Sequence, residues 1–133
     1  MRKEILALAV FVLLFKPLIV GASGEIDPTV VSPEIFEVLL ENEYVRVIQY
    51  ELDPGERDDW HTHPAKVSVV TAGRMLRITT SEGESFQVAE ESGAASWMEA
   101  LQKHYAENIG ESTVRIILVE VKSASVDSPE QGD

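Results

Sequence analysis

From Tyr44 onward, short runs rich in Val, Ile and Thr alternate with turn signals every eight to twelve residues. Tyr44–Leu52 (YVRVIQYEL) is followed by Asp53-Pro54-Gly55, with Pro and Gly placed for a type II turn. Lys66–Thr71 closes at Ala72-Gly73, Arg74–Thr80 at Ser81-Glu82-Gly83, and Glu84–Ala89 at Glu91-Ser92-Gly93. Ala94–Met98, Gln102–Asn108 and Thr113–Val121 complete the set. No stretch after residue 45 has a helical period, so the pattern predicts an all-β, antiparallel sandwich or barrel. Ile35–Leu40 is apolar apart from Glu37 and fits either a short strand or a helical turn. Residues 25–34, with two prolines, are expected to form an extended lead-in.

The two ends differ from this middle. Met1-Arg2-Lys3 is basic, Ile5–Phe15 is uninterrupted and apolar, and Val20-Gly21-Ala22-Ser23-Gly24 ends in small residues. That order predicts a signal peptide over residues 1–24, cleaved after Ala22 or Gly24, and a secreted or periplasmic protein. Lys16 and Pro17 interrupt any longer span, so no membrane association is expected after cleavage. Residues 123–133 are polar and acidic and read as a loose tail.

Composition narrows the function. The chain has 133 residues and a formal net charge of −12. An acidic surface argues against nucleic acid and against anionic membranes. Cysteine is absent, which excludes disulfides, thiol catalysis, cysteine-ligated metals and a lipoprotein anchor.

The chain contains three histidines, and two of them form His61-Thr62-His63. In an extended segment, residues i and i+2 point to one side, so both imidazoles can converge on one point. Neutral imidazole binds the later first-row metals. Two ligands make a weak site, so the reading depends on His104, which a barrel could bring beside the pair. The competing reading is three unrelated surface or core histidines.

The spacing around them resembles the two motifs of the cupin superfamily. Gly55 precedes His61-Thr62-His63 with five residues between, and Gly73 follows a short strand. Gly93, His104 and Asn108 stand at the spacing of the second motif. Glu41–Pro64 and His104–Lys122 also look like small single-domain cupins, some of them connected with β-alanine degradation. The resemblance covers roughly residues 35–122. It implies a jelly-roll β-barrel (double-stranded β-helix) and a metal site of His61, His63 and His104. The ion would be a divalent transition metal: Fe, Zn, Ni, Cu or Mn. A homodimer is implied too, because cupin barrels often pair through outer strands.

The departures shape the site. The family's glutamate ligand would fall at Val67 or Ser68, or at Lys66 when counted back from Gly73, and none is a carboxylate. Glu99 and Leu101 replace the usual Pro and Gly before His104. Lys66 is read as solvated at a strand edge, and Glu99 as a surface carboxylate. Trp60, Trp97, Met75 and Tyr105 are read as core, and Asn108 as serving the turn into Ile109-Gly110. The expected function is a metal-dependent enzyme, dioxygenase-like or related, acting on a small organic metabolite. The alternatives are a binding module without turnover and a barrel that has lost its metal.

Overall fold

The computed structural model describes residues 25–122. The expected signal peptide (1–24) and acidic tail (123–133) lie outside the described residues. The lead-in is not extended throughout: Pro28–Val31 forms one helical turn, α1. The cause is local. Asp27 caps the turn by accepting from the Thr29 N–H at 2.9 Å, and Pro28 supplies a helical φ at the first position.

Nine strands follow: β1 (Phe36–Glu41), β2 (Val45–Leu52), β3 (His61–His63), β4 (Lys66–Ala72), β5 (Met75–Thr80), β6 (Ser85–Ala89), β7 (Ala95–Met98), β8 (Leu101–Asn108) and β9 (Val114–Val121). They form a five-stranded sheet, β1-β2-β9-β4-β7, and a four-stranded sheet, β3-β8-β5-β6. Each recorded strand pairing is antiparallel. This is the antiparallel two-sheet arrangement that the turn spacing predicted, and the jelly roll that the resemblance implied. Ile35–Leu40 resolves to a strand, because Phe36–Glu41 pairs along β2 with a bulge between Val38 and Leu40. The Asp53–Glu56 turn is type II as expected. The Glu56 N–H donates to the Asp53 carbonyl at 3.0 Å, and Gly55 has φ +80°.

Alternation decides what faces in. On β2, Ile48, Tyr50 and Leu52 are buried, and on β9, Val114, Ile116 and Leu118 are buried opposite them. Phe36, Val70 and Leu76 join them in one core. The lead-in covers the free edge of β3. The Thr62 N–H donates to the Ile26 carbonyl, and the Ile26 N–H donates to Thr62 Oγ1, both at 2.9 Å. Pairing this edge closes off backbone groups that would otherwise be open to another strand.

Candidate metal centre

β3 is three residues long, and its pattern places His61 and His63 inward with Thr62 outward. β3 pairs with β8 so that His61 lies directly opposite His104. The expected convergence is therefore present: the ligand nitrogens of His61, His63 and His104 lie within 4.8 Å of one another, and all three side chains are buried.

The second nitrogen of each ring is already engaged. His61 Nδ1 lies 2.7 Å from the Asp59 carbonyl and His104 Nδ1 lies 2.7 Å from the Gln102 carbonyl. His63 Nδ1 lies 3.2 Å from Glu120 Oε2. These partners are acceptors, so each Nδ1 carries the proton and each Nε2 keeps its lone pair. His61 Nε2 and His63 Nε2 are 3.0 Å apart. Two lone pairs facing each other at that distance repel unless a cation lies between them. Nitrogens bound to one ion at about 2.1 Å are separated by about 3.0 Å at a right angle and about 3.4 Å at a tetrahedral one. The donor set thus fits a divalent ion. Burial keeps the rings neutral, as ligands must be. It depresses His61, helped by neighbouring His63, to about 3, and holds His63 and His104 below the ordinary histidine value.

Three groups around the centre were not singled out as site residues in the sequence: Glu120 behind His63, and Asp58 and Tyr50 in the cavity wall. Glu120 is buried, and its Oε1 accepts from Arg46 Nε at 2.7 Å while Oε2 accepts from His63. Arg46 in turn is held by Asp27 at 2.8 Å. A carboxylate behind a ligating imidazole fixes its tautomer and orientation. Asp58 is 1% exposed; its Oδ1 accepts from the Ala106 N–H at 2.8 Å and its Oδ2 from the Tyr50 hydroxyl at 3.2 Å. Burial raises the Asp58 carboxyl to about 7. Tyr50 lines the same cavity.

Several expectations need correction. Lys66 is not solvated at a strand edge. β4 alternates so that Lys66, Ser68 and Val70 face inward, and Lys66 is 3% exposed in the wall of the histidine cavity. Val67 points the other way, so a carboxylate there would not reach the histidines. Trp97 is exposed rather than core, and its indole N–H donates to Glu99 at 2.8 Å. Trp60 and Tyr105 are half-buried and pack edge to face, with ring centroids 4.7 Å apart, on the side of the sheet away from the histidines. Met75 is half-buried too. Asn108 serves the turn as expected: its Oδ1 accepts from the Gly110 N–H at 2.9 Å, and its Nδ2 donates to the Leu52 and Ser112 carbonyls.

The cavity lies between the sheets, with about 60 Å³ of free space. Its histidines come from the smaller sheet, and Lys66, Ser68 and Tyr50 from the larger. Phe36, Leu76, Ile78 and Ile116 supply apolar wall.

No protein-family model and no curated protein matches the chain. Solved structures do. A cupin domain from Bordetella pertussis is 26% identical, covers 67% of this chain and 93% of its own, and superposes with a TM-score of 0.62. An RmlC-like cupin with a double-stranded β-helix fold from Methanocaldococcus jannaschii is 18% identical over 65% of this chain and 78% of its own, with a TM-score of 0.54. A double-stranded β-helix protein from Klebsiella pneumoniae is 22% identical over 68% and 78%, with a TM-score of 0.53. Strand order, cavity and these likenesses agree: the chain has the fold of a small cupin domain, an RmlC-like double-stranded β-helix.

Proposed function

We propose that this protein is an exported cupin that holds one divalent transition metal through His61, His63 and His104. In this reading it acts on a small organic metabolite as a metal-dependent enzyme of dioxygenase-like or related type. The supporting observation is the convergence of three neutral imidazoles whose Nδ1 atoms are all tied to acceptors. The ion would supply Lewis acidity at the end of the cavity. The chain's own groups do the rest. Glu120 and the Asp59 and Gln102 carbonyls orient the rings. Phe36, Leu76 and Ile116 exclude water. Asp58, balanced near pH 7, can take up or release a proton inside the wall. A second reading, a module that holds a ligand without turnover, is favoured by one observation: an ammonium, Lys66, occupies the cavity wall at one of the three positions (Lys66, Val67, Ser68) where the resemblance would place a carboxylate ligand.

The test is metal analysis of the mature, tag-free protein. One ion per chain is expected, and none in the triple His→Ala variant. Equal metal in the two proteins overturns both readings. Metal-dependent consumption of a small acid or of oxygen identifies the enzyme, whereas saturable ligand heat without product identifies the binder. Export is proposed on residues 1–24. Protein made in a secreting host should lose about two dozen residues by intact mass, and a full-length cytosolic product contradicts it. A homodimer is also proposed, through the outer strand β1.

A further inference from the structure

The cavity wall carries one charged group that the three-histidine centre does not use. Lys66 lies on β4, with Glu120 of β9 beside it on one strand and Met98 of β7 on the other. Glu120 is already committed to Arg46 and His63. Among the described residues, no hydrogen bond or ion pair engages the Lys66 ammonium, although the residue is 3% exposed. Its charge acts on all three imidazoles.

A buried cation needs a counter-charge. With a divalent ion on three neutral ligands, the cavity holds two positive centres. Glu120 shares Arg46 with Asp27, so these three groups carry one net negative charge beside Lys66, too little to offset an ammonium and a divalent ion together. Both Asp58 oxygens are engaged by Ala106 and Tyr50. Glu90 sits half-buried in the wall, its carboxyl raised by burial; it attracts Lys66 through space but lies outside ion-pair distance of it. An anion from outside would satisfy both centres. A free space of about 60 Å³ corresponds to roughly four water-sized sites at about 15 Å³ each. That is room for a metal ion and a group of about three heavy atoms.

We propose that the cavity takes a small monocarboxylate, one oxygen toward the three-histidine ion and the other toward the Lys66 ammonium. The proposal rests on the three-histidine reading and adds the ligand's chemistry to it. It also gives Lys66 a role at one of the positions where the resemblance would place a metal-ligating carboxylate: the negative charge arrives with the ligand instead of with the protein.

The experiment uses mature protein loaded with cobalt(II), with one ion per chain verified by mass spectrometry for wild type, Lys66→Met and Lys66→Gln. Sodium formate is titrated in against sodium chloride at equal ionic strength, following the cobalt absorption bands and the heat of binding. Formate should perturb the wild-type bands saturably and far more tightly than chloride. Lys66→Met and Lys66→Gln should keep their cobalt and lose roughly thirtyfold or more in formate affinity. Formate no better than chloride on wild type overturns the proposal, whether or not either variant folds. Formate affinity within threefold of wild type in a cobalt-loaded variant overturns it as well. Wild type that takes up no cobalt overturns the three-histidine reading and this proposal together. Full cobalt with an unchanged formate response removes the carboxylate site alone.

Discussion

Single atoms decide whether the centre binds an ion. Removing any one of His61, His63 or His104 leaves two ligands, so each Ala variant should lose most of its metal, measured as ions per chain after desalting. Glu120→Gln tests the orienting role. An amide is a poorer acceptor for the His63 Nδ1–H and no longer balances Arg46. Metal affinity should fall about 10- to 100-fold with the three histidines in place; unchanged affinity by indicator competition would show that the 3.2 Å contact does not hold the ring. Burial also moves the acid response. Histidine pKa values depressed in the fold mean that protons compete with the metal only below the ordinary value of about 6.5. Release should therefore have its midpoint under that pH, in a window reaching toward the value of about 3 for His61. Stability follows the same sign: the neutral histidines' contribution is present above about 6.5 and is lost on acidification. Asp58 runs the other way. Raised to about 7, its contribution is complete below the ordinary aspartate range and is lost as pH rises through 7. A chelator-independent metal titration across pH 3–8, with circular dichroism to follow the fold, separates release from unfolding. A midpoint at or above 6.5 contradicts the burial argument.

The strands and turns set where those atoms stand, and most of them were legible. Alternation between turn signals places β2 and β4–β9 to within a residue at either end. β1 was ambiguous because Phe36, Val38, Leu39 and Leu40 give no period of two. Its bulge between Val38 and Leu40 is the structural counterpart of that broken pattern. Two charged groups of the site, Glu120 behind His63 and Lys66 in the wall, were readable in principle from parity. In β9, Glu120 shares a face with Val114, Ile116 and Leu118; in β4, Lys66 shares one with Ser68 and Val70. A charge in register with a buried stripe is the signal, and only the identity of its partner needs the fold. Asp58 is different: its partner, the Ala106 N–H, is 48 residues away, and no local pattern names it. Asn108 shows what an element end contributes. It ties β8 to the Leu52 carbonyl of β2 and to the turn before β9. Asn108→Ala strands buried backbone groups and should cost about 2 kcal/mol or more in urea unfolding. Metal stoichiometry should not change, because the Gln102 carbonyl, not Asn108, holds His104 Nδ1. Loss of metal from a folded Asn108→Ala protein would mean that the turn does position His104.

At the scale of the whole molecule, the two edges of the larger sheet differ from the acidic surface around them. β1 exposes Val38, Leu39 and Leu40, and β7, at the other edge, exposes Trp97. Edge strands of isolated domains are usually guarded by charge or Pro. Three consecutive apolar residues on a strand that, among the described residues, is paired on one side only instead suit pairing with a second copy. The proposed homodimer would form along β1, where side chains and main chain would both gain partners. The formal net charge of −12 opposes it, so association should strengthen as salt screens the repulsion. Light scattering on the mature chain should give twice the chain mass, with a smaller dimer fraction at low ionic strength. Leu40→Lys places a charge on the seam and should weaken association at least about tenfold. The cavity lies between the sheets, so cobalt loading per chain should stay the same in that variant. Monomer mass for wild type at high protein concentration and high salt removes the dimer and leaves the metal centre untouched.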